Sequence, residues 1–307
     1  MSVQAELSGL YKDISNIVIG KSKSVILTLT AVLCRGHLLI EDYPGLGKTL
    51  LAHSVARGLA LDFKRVQCTP DLLPADITGG AIFRHSSESF EFIKGPVFTD
   101  ILLVDEINRS SPRTQSSLLE AMAENQVTAE GNTYPLSDQF LIIATQNPVE
   151  LHGTYPLPEA QLDRFFMRID MGYPDVESEM KILQGHGADQ KVALKPRISR
   201  DSLGQLQQLV HKVPVKPEVS RYCLDIVRAT REHEEVALGV SPRGSIALYQ
   251  AAQAFAMITN KNLVTPQVVK NVSEPVLAHR ITLRQQKGDH HARANMIQKI
   301  LSTVPVP

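Results

Sequence analysis

The feature that most constrains this chain is an alternation in its first half. Short, almost unbroken apolar runs take turns with stretches of helical period. His37–Glu41, Phe63–Gln67, Ile101–Val104 and Phe140–Thr145 read as strands, and Phe165–Ile169 as a fifth. A strand apolar on both faces is a strand buried on both faces, as in parallel sheets covered by helices. Thr49–Leu59 and Ser116–Asn125 supply helical patterns between the runs. The expectation is an α/β fold with a parallel five-stranded sheet between helices.

The texture changes after Gly172-Tyr173-Pro174. From Asp175 onward no convincing strand is read, and periodic helices take over at Val176–Gly185, Ser202–His211, Val219–His233, Ser245–Thr259, Pro266–Ala278 and Ala292–Ser302. The expected division is an α/β core over 1–174 and an all-α lid domain over 175–307.

Composition narrows the functional classes. With 43% hydrophobic and 21% charged residues the chain is neither disordered nor a coiled coil. Its 32 basic and 32 acidic residues cancel, which gives no electrostatic footprint for nucleic acid. The longest apolar stretch, Val25–Cys34, is too short for a membrane span, and Met1–Leu10 does not read as a secretory signal. Cys34, Cys68 and Cys223 are isolated and form no CxxC pair, so the expected compartment is the cytoplasm. His290-His291 has no further ligand nearby and reads as a solvated stretch.

Two motifs carry chemistry. The first strand runs into Asp42-Tyr43-Pro44-Gly45-Leu46-Gly47-Lys48-Thr49-Leu50 and then a helix, the context a phosphate loop requires. Gly45 and Gly47 let the backbone curl around phosphate oxygens, and the helix adds its positive end. Lys48 would reach the β- and γ-phosphates, and the Thr49 hydroxyl would bind Mg2+. The loop departs from the usual pattern at its start, where Asp42 stands for the first glycine. The third strand ends in Asp105-Glu106, at the edge where parallel strands meet a ligand crevice. Asp105 would hold the metal ion and Glu106 would polarise the attacking water.

With Ile107-Asn108-Arg109 added, the chain resembles the MoxR family of AAA+ ATPases over nearly its whole length. The resemblance is carried by Glu41–Thr49, Thr69–Pro74 with Asp76, Gly95–Phe98, Val104–Arg109, Ala144–Pro148, Gly153–Phe165, Ser241-Pro242-Arg243 and Thr303–Pro305. It implies that Asn147 senses the γ-phosphate and that Arg164 is an arginine finger offered to a neighbouring subunit, with Arg168, Arg109 and Arg113 as rivals. It implies a second sensor at Arg243, acting on its own or a neighbour's nucleotide, and an adenine-packing turn at Ile19-Gly20. Two hairpin insertions are expected, Ile82–Ile93 and Val127–Leu136, facing a pore or a partner.

The implied activity is Mg2+-dependent ATP hydrolysis by a homo-oligomeric ring, expected to be a hexamer, that remodels protein clients in a chaperone-like role. Its implied partner is a separate von Willebrand factor A domain protein. Two alternatives stay open: a magnesium-chelatase-like motor subunit, and an ATP-gated scaffold without catalysis.

Overall fold

The computed structural model describes residues 3–85, 88–129, 131–148, 154–185, 194–285 and 290–307. Gly153, the hairpin-tip residues Ser86, Ser87 and Glu130, and Asp289 beside the histidine pair lie outside that set.

The central sheet is built from β1 (Leu38–Glu41), β2 (Phe63–Gln67), β5 (Ile101–Asp105), β8 (Leu141–Gln146) and β9 (Met167–Ile169). Their order is β2-β5-β8-β1-β9, and every neighbouring pair is parallel. β5 is buried along its whole length, and β8 along all but its last residue, as their unbroken apolar character requires. Helix Lys48–Gly58 follows β1, and helix Pro112–Glu124 follows β5. The latter begins at a Ser111 cap whose side chain accepts from the Thr114 N–H.

Two antiparallel hairpins stand outside the sheet: β3 (Gly79–Arg84) with β4 (Ser89–Lys94), and β6 (Gln126–Ala129) with β7 (Asn132–Pro135). They touch through aromatic rings. Phe92 of β4 stacks on Tyr134 of β7 with centroids 4.1 Å apart and planes 10° from parallel, and Phe98 meets both rings edge-on.

Beyond residue 174 the chain is helical, with one difference from expectation. β10 (Val236–Leu238) and β11 (Thr282–Leu283) form a small antiparallel pair. Runs this short carry no periodic signal and pair only because the tertiary fold brings them together.

The apolar run Val25–Cys34 lies in a helix, Ser22–Leu33, that is buried from Ser24 to Leu33. It packs on β9 and on helix Pro242–Ile258, and with Ser24–Leu33 all buried it shows no polar face and no helical periodicity. One hydrophobic core therefore joins Ile14, Val25 and Leu29 to Ile40 and Ile143 of the sheet, and on to Leu248 and Val272 of the C-terminal helices. A second core fills the other side of the sheet, around Leu102, Leu118 and Phe165. No helix among the described residues is long and apolar enough to cross a membrane.

Candidate nucleotide site

The loop between β1 and helix Lys48–Gly58 turns through Gly45 and Gly47, with φ of +84° and +93°. Only glycine enters that region at little cost. A Cβ on Gly45 would meet nothing within 4 Å, so backbone conformation, not crowding, asks for glycine there. The open space belongs to a cavity of about 360 Å3 lined by Pro44, Gly45, Gly47, Lys48, Thr49, Leu50, Arg65, Gln67, Asp105, Glu106, Thr145 and Asn147.

Lys48 donates from Nζ to the backbone oxygens of Asp42 at 2.5 Å and Tyr43 at 2.9 Å. Burial pulls its pKa below the ordinary lysine value, and the carboxylates of Asp42, Asp105 and Glu106 pull the other way. The ammonium lines the cavity with only backbone oxygens as hydrogen-bond partners among the described residues, where it can meet a polyanion.

Asp105 ends β5 and is buried. Its Oδ1 accepts from the Thr145 hydroxyl at 3.1 Å, and its Oδ2 from Arg65 Nε at 2.6 Å. Glu106 follows with φ of +56°, a left-handed backbone that is uncommon outside glycine and clusters at functional sites. The Thr145 hydroxyl holds that conformation by accepting from the Glu106 N–H at 2.9 Å. The Glu106 carboxylate accepts from Gln67 Nε2 and from Arg109, each at 3.0 Å. Thr145 thus ties both acids of the pair to β8, and Gln67 and Arg109 both donate to the Oε2 of the second acid.

Arg65, Gln67 and Thr145 were not legible as site residues in the sequence. The signal was polar side chains at the C-terminal ends of sheet strands. Its meaning depends on register, which sets Gln67 beside Asp105.

Other candidates stand apart from this cavity. Asp42 is buried, and its carboxylate accepts backbone N–H groups instead of facing the opening. Leu46, Ile19 and Gly20 do not line the cavity either. At Gly20 a Cβ would press on Ser178, 2.8 Å away, so this turn packs on the start of helix Val176–Leu183.

Arg164 donates to the Leu119 carbonyl at 2.5 Å and lies outside the cavity, as does exposed Arg243. Asp163, beside Arg164, instead accepts from Arg280 at 2.8 Å and from the Ser241 hydroxyl at 3.2 Å. Arg280 also donates to the carbonyls of Phe165 and Phe166, at 2.7 and 3.1 Å, which fastens the C-terminal helices to the approach to β9. Arg168 is buried in an ion pair with Glu41, and desolvation brings its pKa down to about 9. Arg109 is engaged with Glu106, and Arg113 is exposed.

Among the described residues no group of three or more histidine, cysteine or acidic side chains forms a metal cage. The cavity offers a different donor set, the Thr49 hydroxyl and the Asp105 carboxylate. Hard oxygen ligands of this kind suit Mg2+ shared with phosphate oxygens, and the open loop and Lys48 suit the phosphates themselves.

Comparison with known proteins agrees with this geometry. Residues 37–167 match the model of the ATPase family associated with various cellular activities (AAA), and residues 228–300 match an AAA lid domain. The chain is 44% identical over 298 residues to the uncharacterized protein YeaC of Bacillus subtilis, covering 96% of this chain and 93% of YeaC. It is 39% identical to Chaperone MoxR1 of Mycobacterium tuberculosis, over 96% of this chain and 81% of that protein. Protein MoxR of Paracoccus denitrificans is 29% identical, over 96% of this chain and 94% of its own. A crystal structure from Cytophaga hutchinsonii, described provisionally as an ATPase, superposes with a TM-score of 0.89 at 36% identity, covering 99% of this chain and 96% of that one. The AAA and AAA lid matches, together with the MoxR-named relatives that align over 96% of this chain, make this protein an ATPase of the MoxR family of AAA+ proteins.

Proposed function

We propose that this ATPase depends on Mg2+, assembles into a ring, with six subunits the expected number, and uses hydrolysis to remodel protein clients. The observation that carries the reading is the convergence of Lys48, Thr49, Asp105, Glu106 and Asn147 on one cavity. Bound MgATP would supply a γ-phosphoryl group whose charge the metal neutralises. Lys48 leaves the Asp42 and Tyr43 carbonyls for the phosphates. Thr49 and Asp105 offer oxygens to the metal, and Arg65 yields the Asp105 Oδ2 it holds. Glu106 takes the proton of the attacking water, and the Asn147 amide orients that water or the γ-phosphate.

Arg164 and Arg243 stand outside their own cavity, which supports a ring in which each serves a neighbour's nucleotide. Burial of Arg168 in its pair with Glu41 sets that rival aside, and Arg164 is the proposed finger, with Arg109 and Arg113 as its rivals. The turn at Ile19-Gly20 is assigned to the base, the stretch 1–174 to the core and 175–307 to the lid. The chaperone name of the mycobacterial relative supports a protein client. A cytoplasmic von Willebrand factor A domain protein is the proposed partner.

The test uses Glu106→Gln. With ATP it should bind nucleotide, hydrolyse it very slowly, reach the mass of a ring by light scattering and retain the client and partner on affinity capture. Chelation of Mg2+ should stop turnover by the unaltered protein. A monomer at every ATP concentration, or turnover indifferent to chelation, would refute the corresponding part. Mixing Arg164→Ala with Glu106→Gln subunits should partly restore activity; no recovery in mixed rings would exclude a finger in trans.

A further inference from the structure

The aspartate at the head of the phosphate loop has a use that does not involve touching the nucleotide. Its Oδ2 accepts from the backbone N–H groups of Met171 and Gly172, at 2.7 and 2.6 Å, and its Oδ1 from the Tyr43 N–H at 2.8 Å. Met171 and Gly172 begin the strap that leads from β9 to helix Val176–Leu183. The strap is held from its other side by buried Lys21, whose Nζ donates to the Gly172 carbonyl at 2.6 Å. Loop and strap also meet through side chains. Tyr43 and Tyr173 lie stacked at 6.1 Å, and the Met171 methyl approaches within 3.9 Å of where a Gly47 Cβ would stand.

The same residue holds the lysine. Lys48 donates to the backbone oxygen of Asp42, so Asp42 is bonded to Lys48 through its main chain and to the strap through its side chain. When Lys48 turns to a phosphate, the main-chain bond is given up and the carboxylate bonds keep the loop in register. A carboxylate beside a polyanion would ordinarily repel it. Here three N–H groups and the nearby Lys21 ammonium offset that charge.

We propose that Asp42 is a positioning residue for nucleotide binding: it clamps the phosphate loop to the Met171–Gly172 strap and makes the strap respond to loop occupancy. This rests on the loop being the nucleotide site. Glycine, the usual residue here, has no acceptor for the two strap N–H groups. Asparagine keeps the size and turns an N–H2 toward one of the donors.

The experiment titrates a fluorescent ATP analogue and measures kcat and KM on the full chain, unaltered and as Asp42→Gly and Asp42→Asn. Loss of charge-assisted bonds should weaken affinity and raise KM about tenfold, with kcat falling by less. A residue that served only folding would lower the melting temperature and the active fraction and leave KM alone. Hydrogen exchange at residues 171–175 of the unaltered chain should slow when the analogue binds. That arm decides the matter even if both variants fail to fold. Folded variants with affinity and KM within about twofold of the unaltered chain, or strap exchange indifferent to nucleotide, would overturn the clamp. An unaltered chain that binds no analogue would overturn the nucleotide site itself.

Discussion

Thr145→Val isolates the tie between the acidic pair and β8. The hydroxyl of Thr145 is buried, donates to Asp105 Oδ1 and accepts from the Glu106 N–H. Valine has nearly the same shape, so the substitution removes two hydrogen bonds without opening a cavity. Each deserted partner costs about 1–3 kcal/mol, more for the carboxylate, so stability should fall by about 2–5 kcal/mol. The larger effect is on catalysis. Glu106 sits at φ of +56°, a conformation that costs about 1–2 kcal/mol unless something holds it. Freed from Thr145, its backbone relaxes and the carboxylate moves. A displacement of about 1 Å in a reacting group costs roughly 10²-fold in rate. Phosphate release under saturating ATP should therefore drop by about 100-fold, while affinity for an ATP analogue changes by less than about threefold. Thr145→Ser, which keeps the hydroxyl, should retain most of the rate. A valine variant with near-normal kcat, or a serine variant as impaired as valine, would refute the reasoning.

Lys48→Ala should abolish nucleotide binding, measured by fluorescence titration; unchanged affinity would remove the loop assignment. Arg280→Met strips Asp163 and the carbonyls of Phe165, Phe166 and Val276 of a buried partner, and should lower stability by about 3–5 kcal/mol in a denaturant melt; an unchanged melt would deny that Arg280 fastens the two halves. Burial pushes His37 down to about 4, and its Nδ1 accepts the Ile142 N–H, which a proton would oppose. His279 is lowered in the same direction by burial. Unfolded imidazoles take their proton near 6.5, so the unfolded chain binds more protons between there and about 4. Stability should be full above about pH 6.5 and decline as pH falls toward 4, by up to about 1.4 kcal/mol per pH unit for each imidazole. Denaturation midpoints measured from pH 7 to pH 4 check this, and a steady midpoint would contradict it.

The sheet was legible because its strands are apolar on both faces, so local sequence alone marks them. The glycine turn into helix Lys48–Gly58, proposed as the phosphate loop, was legible because Gly45, Gly47, Lys48 and Thr49 are near neighbours in the chain. Asp42 was not, since its partners Met171 and Gly172 come from the far side of β9. Arg65 and Gln67 read only as polar residues in a strand until parallel pairing with β5 set them beside Asp105 and Glu106. Helix Ser22–Leu33 hid for the opposite reason: covered on all sides, it has no polar stripe to betray its period.

That covered helix has a mechanical consequence. A hinge works where two bodies share little apolar surface, yet here a greasy rod packs against both β9 and helix Pro242–Ile258. Swinging one half away from the other would wet its leucines and valines, at about 25 cal/mol for every Å2 uncovered. Small tilts leave the rod seated and wide swings do not. In the proposed ring, that shared apolar surface would shift movement toward the seams between neighbours.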